Sequence, residues 1–130
     1  MSLNDPLANV LSHILIEDKK GRKKIIVKNN SKIIKAVLTL LKEHKYLGDF
    51  KEIEDGKAKI LEINLIGAVN KTGVIKPRHS VKLSEFTKFE KRYLPALGFG
   101  FLIISTNQGI MTQEKALKKN LGGKLLAYVY

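Results

Sequence analysis

The sequence predicts an α+β protein of two lobes: an α/β lobe over residues 1–66 and a β-rich lobe with a short helix over residues 67–130. Three observations carry this prediction. The first half has two apolar stripes of helical period, followed by an alternating strand pattern around Asp55-Gly56. The second half has short apolar runs separated by polar and glycine-containing turns. Apolar residues make up 44% of the chain, which is enough for a folded core.

Two helices are predicted in the first lobe. Asp5 is a good N-cap and Pro6 suits the first helical position, so a helix begins there and ends near Asp18. Ser31 is the expected N-cap of a second helix, which ends before Gly48. Each helix has an apolar stripe at helical spacing. The stripes are Leu7, Val10, Leu11, Ile14 and Leu15 in the first helix, and Ile34, Val37, Leu38 and Leu41 in the second.

Three strands complete this lobe. The β-branched run Ile25-Ile26-Val27 predicts a short strand after the first helix. Residues 49–54 and 59–66 predict a β-hairpin joined through Asp55-Gly56, which is a strong hairpin signal. The predicted order of the first lobe is therefore helix, strand, helix, strand, strand.

The first part of the second lobe has a basic and aromatic character. Val69 and Val74-Ile75 flank residues 70–73, for which we predict a hairpin turn, and residues 76–82 are expected to be basic and extended. Residues 84–90 predict one or two turns of helix. Phe86, Phe89 and Tyr93 would then cover one side of this lobe.

The last third of the chain, Phe99–Tyr130, alternates apolar and polar segments. After a bend at residues 95–100, an apolar strand leads into Ser105-Thr106-Asn107-Gln108-Gly109, predicted as a polar loop without charge. A strand at residues 110–111 and a short helix beginning at Thr112 follow. Because this helix offers little apolar area, we expect it to be a surface element. A Gly122-Gly123 turn and a closing strand end the pattern.

Charge is the strongest global signal. The chain has 24 Lys and Arg residues against 12 Asp and Glu residues, a net charge of +12. Residues 65–130 hold 11 basic and 3 acidic residues, a net of +8, while residues 1–64 hold 13 and 9, a net of +4. Such an excess favours a polyanionic partner, and nucleic acid is the leading candidate. A basic but inert surface is the alternative.

Composition also limits the class of protein. There is no cysteine, which excludes disulfides and thiolate metal sites. The sequence has neither a signal-peptide pattern nor an apolar run of membrane-spanning length, so we expect a cytoplasmic protein without membrane contact. The three histidines lack ligand spacing. We therefore predict no enzyme, metal, cofactor or small-molecule substrate. A small hydrolase with Ser105 as nucleophile is an alternative that requires a base within reach.

The polar loop has the chemistry of RNA recognition. The side chains of Ser105, Thr106, Asn107 and Gln108 both donate and accept hydrogen bonds, which suits 2′-hydroxyls and base edges in the RNA minor groove. We expect Gly109 and Gly122-Gly123 to let a ribose-phosphate backbone come close, because no Cβ is in the way. The candidate phosphate contacts are Arg78, Lys82, Lys91, Arg92, Lys115, Lys118 and Lys119. Each of these could instead be an ordinary polar turn or a solvated cation.

Two segments of the last third resemble the C-terminal signature of the eighth small-subunit ribosomal protein family. They are Ile104-Ser105-Thr106-Asn107-Gln108-Gly109-Ile110-Met111-Thr112 and Leu121-Gly122-Gly123-Lys124-Leu125-Leu126-Ala127-Tyr128-Val129-Tyr130. Residues 5–9 are similar to the family's opening helix. Residues 76–78 and 91–96, which include Tyr93, are similar to its archaeal and eukaryotic branch. The bacterial pattern has serine at Asn107, lysine at Gln108 and glutamate at Lys124.

The resemblance implies a primary rRNA-binding protein without enzymatic activity. Family members bind a stem in the central domain of small-subunit rRNA and help that domain to fold. The implied main site is Ser105-Thr106-Asn107 with the Gly122-Gly123 turn near it, and Tyr93 is a further candidate. Ser31 and Lys32 begin a helix and could receive a phosphate. The implied partners are this rRNA and neighbouring small-subunit proteins on the cytoplasmic ribosome, and we expect a monomer outside it. The alternative is a non-ribosomal RNA-binding module or translational regulator.

Overall fold

The computed structural model describes residues 6–28, 31–56, 58–76, 78, 80–96 and 99–130. It has helices and antiparallel sheets in a mixed arrangement, which confirms the predicted α+β class. Contacts divide the chain into two compact units, Met1–Val69 and Asn70–Tyr130. The predicted N-cap at Asp5 lies outside the described residues. No helix within the described residues is long and apolar enough to cross a membrane.

The first unit has the predicted order of elements. They are α1 (Pro6–Lys19), β1 (Lys24–Val27), α2 (Lys32–Glu43), β2 (Leu47–Asp55) and β3 (Ala58–Leu65). The strands form an antiparallel sheet in the order β1-β3-β2. Ser31 Oγ accepts a hydrogen bond from the Ile34 N–H at 3.2 Å, which confirms Ser31 as the N-cap of α2.

The core of the first unit lies between the two helices and one face of the sheet. Leu61, Ile63 and Leu65 of β3 are buried, as their alternation predicts. The predicted hairpin is confirmed, but its turn begins one residue later than predicted: Asp55 is the last residue of β2 and lies opposite Ala58, and Gly56 follows with a φ of +65°. Within the described residues, the apolar helix positions facing this sheet are Leu7, Val10, Leu11 and Ile14 of α1, and Ile34, Val37, Leu38 and Leu41 of α2.

The second unit is built around its last strand. Its elements are β4 (Thr72–Val74), β5 (Ser80–Val81), a 3₁₀ turn (Leu83–Glu85), α3 (Phe86–Tyr93), β6 (Phe101–Thr106), β7 (Gly109–Thr112), α4 (Gln113–Lys118) and β8 (Gly123–Val129). The sheet order is β4-β8-β6-β7, and β5 also pairs with β8. Phe86 and Phe89 of α3 are buried in the core of this unit, as predicted.

The hairpin turn predicted at residues 70–73 is wrong. β4 pairs with β8, so that Thr72 lies opposite Val129. The N–H groups of Asn70 and Lys71 both donate to the carbonyl oxygen of Tyr130, at 2.8 and 2.9 Å. Val69 cannot serve as the partner strand because its own N–H donates to the carboxylate of Asp18, at 3.2 Å.

The short helix α4 is held more firmly than a surface element would be. Thr112 Oγ1 accepts from the Lys115 N–H at 3.3 Å, which confirms the predicted helix start. Gln113 and Ala116 are buried, however, and Gln113 Oε1 accepts from the Leu102 N–H of β6 at 2.7 Å. Because β7 ends at Thr112, this amide continues the hydrogen bonding of the sheet past the end of the strand.

Candidate RNA-binding interface

The polar segment at residues 105–109 is a tight hairpin, so the predicted five-residue loop is wrong. Ser105 lies opposite Ile110 and Thr106 opposite Gly109, which leaves only Asn107 and Gln108 in the turn. Gly109 has a φ of +119°, in the region that favours glycine. Ser105, Thr106 and Gly109 belong to the ladder between β6 and β7, where opposed residues alternate between hydrogen-bonded and non-hydrogen-bonded pairs.

The side chains of this hairpin have different surroundings. Thr106 Oγ1 donates to the Gly109 carbonyl at 2.8 Å and accepts from the Gln108 N–H at 3.1 Å, so it stabilises the turn from within. Asn107 and Gln108 are exposed. Ser105 is half-buried, and its hydroxyl has no hydrogen-bond partner among the described residues. Ser105, Asn107 and Gln108 therefore offer donors and acceptors to a ligand.

The register of β8 brings the two glycines beside Ser105. Ser105 lies opposite Lys124, and Val81 of β5 lies opposite Gly123. A Cβ added at Gly123 would collide with the carbonyl oxygen of Ser105, and one at Gly122 would lie 2.7 Å from the carbonyl oxygen of Val81. Both glycines therefore have a role inside the protein, since they let β8 begin between two other strands. The turn predicted at Gly122-Gly123 lies earlier, at residues 119–120, since Gly123 is the first residue of β8.

Some predicted phosphate contacts lie at this end of β8. The backbone of Lys82 follows Val81, and its Cα would be 3.6 Å from a Cβ at Gly122. Lys115, Lys118 and Lys119 are exposed on or just after α4, which follows directly from β7. Lys118 Nζ lies 3.7 Å from Glu114 Oε1, and both side chains are about three-quarters exposed.

Other predicted contacts lie elsewhere in the structure. Lys91 and Arg92 are exposed on α3, where the Arg92 guanidinium carbon lies 5.5 Å from the centroid of the Phe89 ring. Tyr93 stacks on Tyr128, at the opposite end of β8 from Gly123. Arg78 is exposed. Ser31 and Lys32 belong to the first unit, where the Ser31 hydroxyl already caps the helix that a phosphate would approach.

Residues 65–130 hold only three acidic side chains against eleven basic ones. Glu85 Oε1 accepts from the Lys82 N–H at 2.9 Å, and Glu114 pairs with Lys118. Glu90 is half-buried, and burial raises the pKa of its carboxyl group. Self-repulsion among the exposed cations would be relieved by a polyanion.

The first unit uses its carboxylates differently. Glu62 accepts from Lys24 Nζ at 2.9 Å, and this hydrogen bond lowers the pKa of the Glu62 carboxyl group. Glu52 Oε2 lies 2.7 Å from Lys35 Nζ. These pairs bring carboxylates and ammonium groups together on the surface of the first unit, so its positive charge is less concentrated than in the second.

Lys124 and Phe99 are functional candidates that sequence reasoning misses. Lys124 is exposed and directly opposite Ser105, but this pairing depends on a register shift between Ile103 and Ile104 that the sequence does not reveal. Phe99 lies in the segment 95–100 that the sequence predicts as a bend, and it is 49% exposed. Its N–H donates to the Ala96 carbonyl. A local sequence signal for Lys124 is lacking, because its position opposite Ser105 depends on the register of β8.

Catalysis by Ser105 would require a neighbouring base. Among the described residues, no base accepts a hydrogen bond from the Ser105 hydroxyl, and His79 lies outside them. In the same part of the chain, no group of three His, Cys, Asp or Glu side chains is placed to hold a metal ion.

Comparison with known families identifies the chain's relatives. A family model described as ribosomal protein S8 matches residues 5–130. The chain belongs to the ribosomal protein S8 family. Membership confirms the family resemblance seen in the residues and makes the chain a small-subunit ribosomal protein that binds rRNA. The role of the S8 family is structural, and its place is on the ribosome.

Proposed function

We propose that the chain is a primary binder of a stem in the central domain of small-subunit rRNA, and that it helps this domain to fold. The contact is made by the second lobe, residues 67–130, through Ser105, Asn107 and Gln108 at the hairpin and through Gly122 and Gly123 at the start of β8. The observation that carries this proposal is the register of Ser105 with Lys124, which pairs a serine whose hydroxyl has no partner among the described residues with an exposed lysine on the neighbouring strand. Thr106 and Gly109 hold the hairpin in shape.

The chemistry of this face suits an RNA minor groove. A hydroxyl and two amides can each donate to and accept from 2′-hydroxyls and base edges, and the groove of a stem is shallow enough to admit them. Lys82, Lys115 and Lys118 supply positive charge for phosphates, which fixes position without selecting sequence. The similarity of residues 76–78 and 91–96 supports an archaeal type of S8 protein. We further propose a cytoplasmic protein that is monomeric outside the ribosome and contacts neighbouring small-subunit proteins within it.

Ser105→Ala should weaken binding of the central-domain stem by about 1–3 kcal/mol, because a buried hydrogen bond to RNA would lose its protein partner. The measurement is the dissociation constant for a synthetic stem at fixed salt, by filter binding or anisotropy. Ser84→Ala is the matched control, since Ser84 is an exposed serine of the same unit in the 3₁₀ turn. Equal affinity of the Ser105 and Ser84 variants would contradict the assignment.

Lys118→Ala should weaken binding to matched and mismatched stems alike and reduce the slope of log affinity against log salt by about one unit. The reason is that a lysine on a phosphate releases one counterion and contacts no base. Glu114→Ala removes the carboxylate that pairs with Lys118 and should strengthen binding slightly. A loss confined to one stem sequence would show that Lys118 reads bases instead.

Chemical footprinting of the purified chain on small-subunit rRNA tests the proposal as a whole. Protection of a central-domain stem is the expected result. Protection of another rRNA region would overturn the central-domain assignment. Cross-linking in cell extract that labels only messenger RNA would favour the alternative, a translational regulator that uses the same face.

A further inference from the structure

A row of four aromatic rings lies at the end of β8 away from Gly123. The centroids of Tyr93 and Tyr128 are 5.6 Å apart with an interplanar angle of 25°, and those of Tyr128 and Tyr130 are 6.3 Å apart at 24°. Phe99 follows Tyr130 at 6.2 Å and 51°. The three tyrosines are half-buried against the core, whereas Phe99 is 49% exposed. Phe99 is therefore the open end of the row.

Backbone contacts fix this open end in place. Gly100 has a φ of +83°, and a Cβ there would collide with the carbonyl oxygen of Val129. The Phe99 N–H donates to the Ala96 carbonyl at 3.1 Å. Tyr130 is held by three hydrogen bonds to residues 70–71, of 2.8 to 2.9 Å. The backbone of Phe99 is thus hydrogen-bonded, and its ring lies beside a well-anchored Tyr130, which lowers the entropy cost of binding a ligand there.

Exposed basic residues lie close in the sequence to two members of the row. The Lys71 N–H donates to the Tyr130 carbonyl oxygen at 2.9 Å, and Lys91 is exposed on α3, two residues before Tyr93. Arg92 is also exposed, with its guanidinium carbon 5.5 Å from the Phe89 ring. The nearest carboxylate in the sequence, Glu90, is half-buried. Charged groups are depleted in the cores of protein–protein interfaces. An exposed aromatic ring in a basic region is instead the combination by which proteins hold single-stranded nucleic acid.

We propose that this row is a second RNA contact, in which an unpaired base stacks on the open face of Phe99. Lys71, whose backbone is hydrogen-bonded to Tyr130, and the exposed Lys91 would then supply positive charge for the phosphates beside that base. This contact differs from the hairpin site, since it takes an unpaired base and lies at the other end of β8. It rests on RNA binding by the chain and does not require that Ser105 binds the stem.

The probe is a fluorescein-labelled single-stranded oligouridylate, titrated with the full chain and followed by anisotropy. Phe99→Ala and Phe99→Leu should each lower its affinity at least about five-fold, because stacking on an aromatic ring is lost. Phe99→Trp should retain or increase the affinity, since indole also stacks. Leu117→Ala is the control: Leu117 is a 40% exposed apolar residue on α4 of the same unit. Circular dichroism of each variant checks that it is folded.

Tyrosine emission gives a second readout. The chain has no tryptophan and only four tyrosines, of which Tyr93, Tyr128 and Tyr130 belong to the row. The oligouridylate should quench this emission in the wild type, after correction for RNA absorbance. The comparison uses Phe99→Leu, in which quenching should be lost.

Two comparisons separate this contact from the stem site. Binding of a central-domain stem without unpaired bases should be unchanged by Phe99→Leu and weakened by Ser105→Ala, whereas the oligouridylate should show the reverse. Wild-type affinity of Phe99→Leu for the oligouridylate would overturn the proposal. Poor entry of Phe99→Leu into small subunits, together with normal binding of the oligouridylate, would also overturn it, because the ring would then contact a protein neighbour.

Discussion

Gly123→Ala should destabilise the second unit by about 3 kcal/mol, at the upper end of the usual range for overpacking. The added Cβ would collide with the carbonyl oxygen of Ser105 and lie 2.9 Å from Ile104 Cγ2. The carbonyl belongs to β6, which pairs with both β7 and β8, so it cannot move without disturbing two ladders. Urea denaturation measures the loss, and hydrogen exchange of the β6 and β8 amides locates it.

Two variants serve as controls for this prediction. Lys124→Ala changes the next, exposed position of the same strand and should alter stability by less than about 0.5 kcal/mol. Gly109→Ala adds a Cβ that meets no atom within 4 Å, but the φ of +119° is strained for alanine, so a cost of about 1 kcal/mol is expected. Native stability of Gly123→Ala combined with lost RNA affinity would instead show that this glycine serves the approach of RNA.

The same contact links the two parts of the proposed RNA-binding face. Gly123 touches the backbone of Ser105, so a shift of one strand displaces the hydroxyl on the other. We therefore regard the hairpin and the Gly122-Gly123 segment as one surface, whose shape depends on close backbone packing. The lysines around this face do not fix its shape, since their side chains are exposed and can change conformation.

The features predicted correctly from the sequence depend on near neighbours along the chain. The N-caps at Ser31 and Thr112 each use a hydroxyl and an N–H three residues later. The turn that follows Asp55 joins two adjacent strands, and its glycine supplies the positive φ. In such cases the residue types at a few consecutive positions specify the hydrogen bonds.

The features predicted wrongly depend on partners that are distant in the sequence. Thr72 pairs with Val129, which is why residues 70–73 form no hairpin. The polar run 105–109 suggests a loop because serine, threonine and asparagine are frequent in turns. Its first two residues are nevertheless strand, because Ser105 pairs with both β7 and β8 and Thr106 pairs with β7. Side-chain type alone does not specify the register between strands.

The composition of the candidate site is visible in the sequence, but the role of each residue is not. Thr106 offers the same hydroxyl chemistry as Ser105, yet its Oγ1 is engaged within the turn. The buried amide of Gln113 and the exposed ring of Phe99 both contradict what their polarity suggests. RNA contact at the named positions stays a prediction, and the Ser105, Lys118 and Phe99 variants test it.

Asp18→Ala should destabilise the first unit by about 2–4 kcal/mol. The Asp18 side chain is 8% exposed; its Oδ1 accepts from the Gly67 N–H at 2.9 Å and its Oδ2 from the Val69 N–H at 3.2 Å. Hydrogen bonds to a charged group contribute about 1.5–3 kcal/mol each, and removing the acceptor leaves the buried Val69 N–H without a partner. Urea denaturation measures the effect, and hydrogen exchange should show faster exchange of the Val69 amide.

Asp18→Asn and Asp49→Ala distinguish the loss of the two Asp18 hydrogen bonds from the general effect of losing a carboxylate. The asparagine keeps one acceptor oxygen but turns an N–H₂ group toward the second N–H, so it should recover only part of the lost stability. Asp49 pairs with Lys42 at 2.8 Å with its side chain 77% exposed, and its loss should leave stability unchanged. If Asp18→Ala were as stable as Asp49→Ala, water would be replacing the carboxylate at both N–H groups. The segment after β3 would then be held by its apolar residues, of which Val69 is buried.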